Sequence, residues 1–412
     1  MKTRTMVAAM LALALAAGCK KKEKDNAGQT GTTPPVTPKP NEGAAPTPPP
    51  PPPEPPKATP KTGKDLAQVF LDCTSLLNAA KFEDFGKQCV AANFVNHMAG
   101  EKDMTRDEIM PRLQEGKTAF PDQKFEPQLV FVNGRSIMAV ILMTGTHEGT
   151  LKMPQGDVPA TKKKVGALFY ERLALNDENK VTERWAYMDE GTFAGQLGLM
   201  PKGAPPVRPA MDKGLPGAPM IIVTADDDKE KANSAAMKKQ VDAFNSHKAA
   251  DAMAMWADDA MESDQAAPAD MKGKKNLEKG LQAFWKAFSD GKIDAPNVWA
   301  AGDYVISEGT FTGTNDGAMQ MDKMTMPKTG KKVSMQYAEI VKIKDGKISE
   351  VWRFRNGADM AKQLGLMPEP KAGDAGKAGD AGKAGDAGKA GDAGKAGKAP
   401  GKDAPPKAEP KK

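Results

Sequence analysis

Three histidines, three cysteines and 25 methionines are the side chains of this 412-residue chain best suited to ligation or nucleophilic chemistry. His97, His147 and His247 are too few for a histidine-rich metal site, or for a catalytic triad in each half of the chain. No phosphate-binding loop, zinc-type spacing or Gly-x-Ser-x-Gly elbow occurs in the central region. Cys73 and Cys89 lie sixteen residues apart on neighbouring predicted helices. Outside the cytoplasm such a pair can form a disulfide, and closing a loop of that size stabilises by about 3 kcal/mol. Two buried thiols are the alternative. Met319, Met321, Met324 and Met326 form a cluster of soft thioethers that suits Cu(I). Flexible apolar filler is the plainer reading, because most other methionines occupy core-like positions. No metal and no cofactor is expected.

The third cysteine has a different context. Lys2 and Arg4 precede an unbroken apolar run from Met6 to Ala17, which is shorter than the about 20 residues a membrane span needs. A cationic start, a short apolar core and the small residues Ala16, Ala17 and Gly18 make an export signal. Cys19 follows at once, in the order of a bacterial lipoprotein processing site, so residues 1–18 are read as a signal peptide and Cys19 as lipidated. Lipid chains partition at about 0.8 kcal/mol per methylene, and an anchor of more than one chain is stable. Lys20 to Lys22 suit anionic head groups. The expected location is the bacterial cell envelope, lipid-anchored, with Lys20 favouring an outer membrane and a chain facing the periplasm.

Residues 19–63 carry the lipidated cysteine and a tether rich in Pro and Lys, with Pro48 to Pro53 unbroken. Such a segment cannot bury a core and reads as an extended spacer. Residues 370–412 form a second low-complexity tail, in which Lys-Ala-Gly-Asp-Ala-Gly repeats four times from Lys371. Glycine falls at every third position there, but without imino acids a collagen helix is not expected. The formal charge of +6 is therefore misleading. The leader carries +2, residues 20–62 +3 and residues 371–412 +4, which leaves −3 for 63–370. A slightly acidic central region argues against nucleic acid, which needs a basic footprint on the folded domain. The basic ends suit anionic lipid or cell wall.

The central region contains one domain twice. Gln196-Leu-Gly-Leu-Met-Pro201 recurs as Gln363-Leu-Gly-Leu-Met-Pro368, an offset of 167. Trp185 falls on Trp352 and Tyr170 on Tyr337 at that offset. Thr144-Gly-Thr-His-Glu-Gly149 matches Thr312-Gly-Thr-Asn-Asp-Gly317 at an offset of 168, as Phe120 matches Phe288 and Gly134 matches Gly302. A single-residue indel reconciles the two. The domains are placed at 64–202 and 233–369, with 203–232, which contains Pro205, Pro206, Pro209 and Pro216, as linker. In each copy helical spacing comes first, as in Leu66, Val69, Phe70 and Cys73, or Leu277, Leu281, Phe284, Trp285 and Phe288. Strand-like runs follow: Leu129 to Val132, Ile137 to Met143, Val165 to Leu175 and Val181 to Tyr187. Turn residues at Asn133-Gly134 and Asp345-Gly346 mark hairpins. The fold class is α+β: two tandem cone-shaped barrels, each with helices on a curved, mainly antiparallel sheet, flanked by disordered tethers. A curved sheet closed by helices leaves an apolar interior suited to a ligand.

Four stretches resemble the SnoaL-like polyketide cyclase (ester cyclase) family of the nuclear-transport-factor-2-like superfamily. They are Phe94-Val-Asn-His97, the Thr144–Gly149 turn, Met326-Pro-Lys-Thr-Gly-Lys-Lys-Val333, and Lys347–Trp352 followed by Gln363-Leu-Gly365. The resemblance covers most of both copies. It implies a pocket aspartate acting as general acid/base on the closing strand, where this chain has Ala186 and Arg353. Asp189, three residues further on, is a candidate acid/base in copy one, and its copy-two equivalent is Asn356. The resemblance also brings Asn96, His97 and His147 to the pocket, with Asn315 in place of His147 in copy two. Because strands alternate faces, inward-facing Ala186 and Arg353 imply inward-facing Arg184, Val351 and Arg355, and outward-facing Trp185 and Trp352. The arginines suit an anionic ligand. Sheet-face pairing, common in the superfamily, is open to the two copies within one chain.

Three functions follow as expectations. The first is a tethered module that binds a small apolar, amphipathic or anionic ligand, or a partner, without catalysis. The second is a cyclase-like enzyme run by copy one with Asp189, His97 or His147. The third is a periplasmic structural spacer contacting the cell wall.

Overall fold

A computed structural model describes residues 59–366 of the chain, except 154–155, 201–203 and 322–323. The expected signal peptide, Cys19, the first tether up to residue 58 and the tail from residue 370 lie outside the described residues.

Domain 1 opens with α1 (Gly63–Asn78) and α2 (Phe82–Gln88), which Cys73 and Cys89 join through a disulfide. Then come β1 (Val90–Met98), β2 (Met104–Thr105) and α3 (Arg106–Ala119), the last started by a capping box between Thr105 and Glu108. Four long strands follow, β3 (Lys124–Asn133), β4 (Ser136–Thr146), β5 (Lys164–Leu175) and β6 (Val181–Tyr187), and α4 (Glu190–Leu197) ends the domain. The linker contains β7 (Met220–Val223). Domain 2 repeats the plan with α5 (Asp228–Asn245), α6 (Ala249–Ala252), β8 (Trp256–Asp264), β9 (Met271–Lys272) and α7 (Lys274–Ala287). Its strands are β10 (Lys292–Ala301), β11 (Tyr304–Thr314), the short β12 (Met319–Met321) and β13 (Met324–Met326), β14 (Lys332–Lys344) and β15 (Lys347–Arg355), closed by α8 (Gly357–Gln363).

The sheets run β2-β1-β6-β5-β4-β3-β7 and β10-β11-β14-β15-β8-β9. Both are mixed, because β1 pairs in parallel with β6, and β8 with β15. Those strands were not legible as strands: Val90–Met98 breaks alternation with adjacent apolar residues at Val90 to Ala92 and Phe94-Val95, and Trp256–Asp264 is largely polar. β7 was hidden in the proline-rich linker. Its Ile221, Ile222 and Val223 are β-branched, and they pair in parallel with the edge of β3.

The ladders also correct one internal match. Ala139 pairs with Glu171 and Ser307 with Glu339, both at an offset of 168. Glu171 then pairs with Ala186, and Glu339 with Arg353, which stands at 167. The indel therefore lies in the turn after β5, and Tyr170 corresponds to Ala338, while Tyr337 corresponds to Phe169. A one-residue slip turns a side chain to the other face of a sheet. Tyr170 thus faces away from the helices and Tyr337 towards them.

Each sheet buries both faces. The helix-facing core of domain 1 contains Leu66 and Phe70 of α1 with Val130, Ile141, Phe169 and Leu173. That of domain 2 is divided between a group around Met237, Leu277 and Val351 and another around Phe288, Phe311 and Met335. Met326 and Met319 belong to the latter, so these two members of the methionine cluster are core side chains. The other faces meet each other. Phe131, Val140, Leu168 and Tyr170 pack against Ile306, Ala338, Ile340 and Phe354 in one core shared by the domains.

Candidate functional site

The helix-facing side of domain 1 gathers three polar side chains from three strands. Arg184 and Ala186 are two apart on β6 and share this face, with Asn96 of β1 beside Arg184 and Glu171 of β5 opposite Ala186. Arg184 Nε donates to Glu171 at 2.6 Å and its Nη1 to Asn96 Oδ1 at 2.8 Å. Phe169 lies under the guanidinium at 6.0 Å. Asn96 is fully buried, and its Nδ2 has no hydrogen-bond partner. A quarter of the Arg184 side chain is still accessible (25 %), so the cluster borders open space rather than solid core.

Domain 2 carries a more heavily charged version. Glu262 replaces Asn96, Val351 replaces Arg184, Arg353 replaces Ala186 and Asp264 stands at the position of Met98. Arg353 reaches Glu262 at 2.9 Å and Glu339 at 3.3 Å, and Arg355 holds Asp264 at 2.7 Å. Burial would raise the Asp264 carboxyl, but Arg355 and Arg353 outweigh it and hold the group below the ordinary carboxylate range. Burial raises Glu339, and Arg353 offsets this only in part. Both arginines lie deep in the fold, yet they keep 30 % and 23 % of their side chains accessible. The Tyr337 hydroxyl, whose pKa burial and Glu339 raise, lies beside Ser307 Oγ, and neither forms a well-made hydrogen bond. It therefore stays a protonated donor.

The remaining candidates go elsewhere. His97 is on the opposite face of β1, stacked on Trp185 at 5.0 Å and bonded to Asp103 at 2.8 Å. Trp185 carries Arg172 at 3.5 Å on its other contact, which leads into the domain interface. His147 is fully buried, and its Nδ1 accepts from Thr161 N and Oγ1 at 3.1 Å each. Asn315 does the same in domain 2 with Thr329, at 2.8 and 2.9 Å. Both are loop-holding acceptors. Asp189 caps α4 through Thr192 N and also accepts from Gly357 N of domain 2 at 2.8 Å. Burial raises its pKa. Its carboxylate is thus committed to a junction between helix starts.

Glu171, Glu262, Asp264 and Glu339 were missed by the sequence reading. The available signal was a lone acid inside an apolar strand, as in Leu168-Phe-Tyr-Glu-Arg-Leu173 or Tyr337-Ala-Glu-Ile340. Among the described residues, no group of three or more His, Cys, Asp or Glu is arranged to hold a metal ion.

The SnoaL-like polyketide cyclase profile matches residues 64–197 and again 234–364, and the chain belongs to that family, in two tandem copies. Solved structures that resemble it include AclR from Streptomyces galilaeus (23 % identity, TM-score 0.30, 34 % of this chain and 89 % of that one). A SnoaL-like protein from Jannaschia sp. CCS1 matches at 15 % identity and TM-score 0.32, over 35 % and 99 % of the two chains. IdmH from Streptomyces antibioticus matches at 21 % and 0.28, over 32 % and 97 %. A search of curated proteins gives no match. The likeness to these structures is one of fold.

Proposed function

We propose that the protein is a lipid-anchored binder in which each cone accepts a small amphipathic molecule without transforming it. The observation that carries this reading is the state of the cone-facing polar groups. The ionic ones are tied to each other as Glu171–Arg184 and as Arg353 with Glu262 and Glu339. The neutral donors, Asn96 Nδ2 and Tyr337 OH, are buried and unpartnered. An unpaired buried donor costs about 1–3 kcal/mol, which a ligand acceptor recovers. General acid/base work needs a free, tuned carboxylate, and the family's position for it holds Ala186 and Arg353.

Titration of the full chain with parinaric acid, a fluorescent amphipathic probe, tests this. Saturable binding is expected, weakened in Asn96→Leu and in Tyr337→Phe. No binding by the parent chain would sink the proposal. The envelope location belongs to the same proposal and rests on the Met6–Ala17 apolar run and Cys19. Labelled palmitate should enter the parent chain and not Cys19→Ser.

One observation favours an enzymatic second reading. Glu171 stands directly across the ladder from Ala186, so its carboxylate enters the same part of the cone as an acid/base on the closing strand would. Turnover of an activated ester that is lost in Glu171→Gln would establish it.

A further inference from the structure

The two domains differ at one edge. In domain 1, β7 covers β3, and residues 128–132 are all buried. The equivalent strand β10 ends its sheet, six strands against seven, and among the described residues its edge away from β11 has no strand paired to it. There Pro296 is exposed and Asn297, Val298 and Trp299 are half-buried. Thr224 N donates to Val132 O, so the edge-facing backbone groups in domain 1 are those of Val130 and Val132. In domain 2 they are those of Val298 and Ala300. Both strands carry a proline and a register shift just before this stretch, at Pro127 and Pro296, so the uncovered four residues have the geometry that accepts β7 in domain 1.

We propose that the Asn297–Ala300 edge docks an extended apolar segment of another protein, added as a parallel seventh strand. The occupied edge shows the chemistry. Met220 and Ile222 pack into the core shared by the sheets, and Ile221 and Val223 into the core under α1. A segment on β10 would likewise alternate between the two faces. On one face it meets Trp299, which already packs against the shared core and lies 5.5 Å from Arg172. The new strand would therefore be continuous with the interface between the domains. On the other face it meets Val298, which packs with Val341 and Val351.

The chain's own tails do not supply this segment. Between Lys371 and Lys398 every residue is Lys, Ala, Gly or Asp, all poor strand formers. The N-terminal tether is interrupted by prolines, which lack the ladder donor. An uncovered apolar edge is a hazard unless a partner takes it.

The test uses the full chain and a labelled peptide with the sequence of Ala218–Asp226 as probe. Saturable binding by fluorescence anisotropy is expected, weakened at least tenfold by Val298→Pro, which removes an edge-facing donor. If that variant does not fold, a probe N-methylated at its second isoleucine, whose N–H has the parity of Thr224 and faces the accepting strand, replaces it and should weaken binding similarly. Absence of binding overturns the proposal. So does concentration-dependent dimerisation abolished by Val298→Pro, which assigns the edge to a second copy. Binding seen only after deletion of residues 373–412 assigns it to the tail and overturns it as well.

Discussion

Burial leaves His147 neutral: its Nδ1 must accept from Thr161, and desolvation lowers its pKa below the ordinary histidine value. Protonation breaks that acceptance. A histidine with a depressed folded pKa stabilises above its unfolded pKa, about 6.5, and loses that contribution as pH falls below it. Domain 1 should therefore weaken in acid, and thermal melts of His147→Asn should lack this component, because Asn315 shows that a carboxamide fills the position. His147→Leu leaves Thr161 N unpaired and should cost about 1–3 kcal/mol. Glu190 behaves in the opposite sense. Burial and the adjacent Glu101 push its pKa up to about 9, so the folded chain holds a proton that the unfolded chain releases above about 4.5. Stability should fall as pH rises across that window, and the stability of Glu190→Gln should vary less between about pH 6 and 9 in thermal melts.

At the scale of elements, the disulfide between α1 and α2 is the clearest difference between the copies, since domain 2 has no cysteine. Cys73→Ser with Cys89→Ser should cost about 3 kcal/mol by the loop-closure argument, read from denaturant midpoints under oxidising conditions. Alternation made most of the sheet legible in the sequence. The strands Ile137–Met143 and Val181–Tyr187 lie within β4 and β6, and β15 turns Arg353 and Arg355 to the helices with Trp352 on the other face. What was not legible has physical causes. β1 and β8 gain their place from parallel pairing with the closing strands, a non-local contact that leaves no period in Val90–Met98. β7 is only four residues long, and a run of prolines precedes it. Glu171 and Glu339 are single acids whose partners come from a different strand, so no local spacing connects them to Arg184 and Arg353.

At the scale of the whole molecule, the two domains are joined by a core rather than by a linker alone. Glu308 of β11 crosses to domain 1, accepting from Tyr170 OH at 2.8 Å and from Arg172 Nε at 2.9 Å. Position 308 corresponds to Val140, so this contact has no counterpart from domain 1 to domain 2 and fixes one arrangement of the pair. Removing one member of a buried ion pair strands the other, at about 3–5 kcal/mol. Glu308→Ala should lose that much and split a single unfolding transition into two, as seen by calorimetry. The doubling itself was legible from the repeated Gln-Leu-Gly-Leu-Met-Pro. The face by which the copies meet depends on the register of β5 and β14, which the Tyr170–Tyr337 match had placed one residue out.

The central claim is that the cones hold a ligand through buried donors that the protein leaves unpaired. Native mass spectrometry of the full chain isolated from its native cells tests it most directly. The account predicts a small-molecule adduct, at most two per chain, reduced in Asn96→Leu and again when Tyr337→Phe is added. A chain carrying no non-covalent adduct, with the same mass in both variants apart from the substitutions, would contradict it.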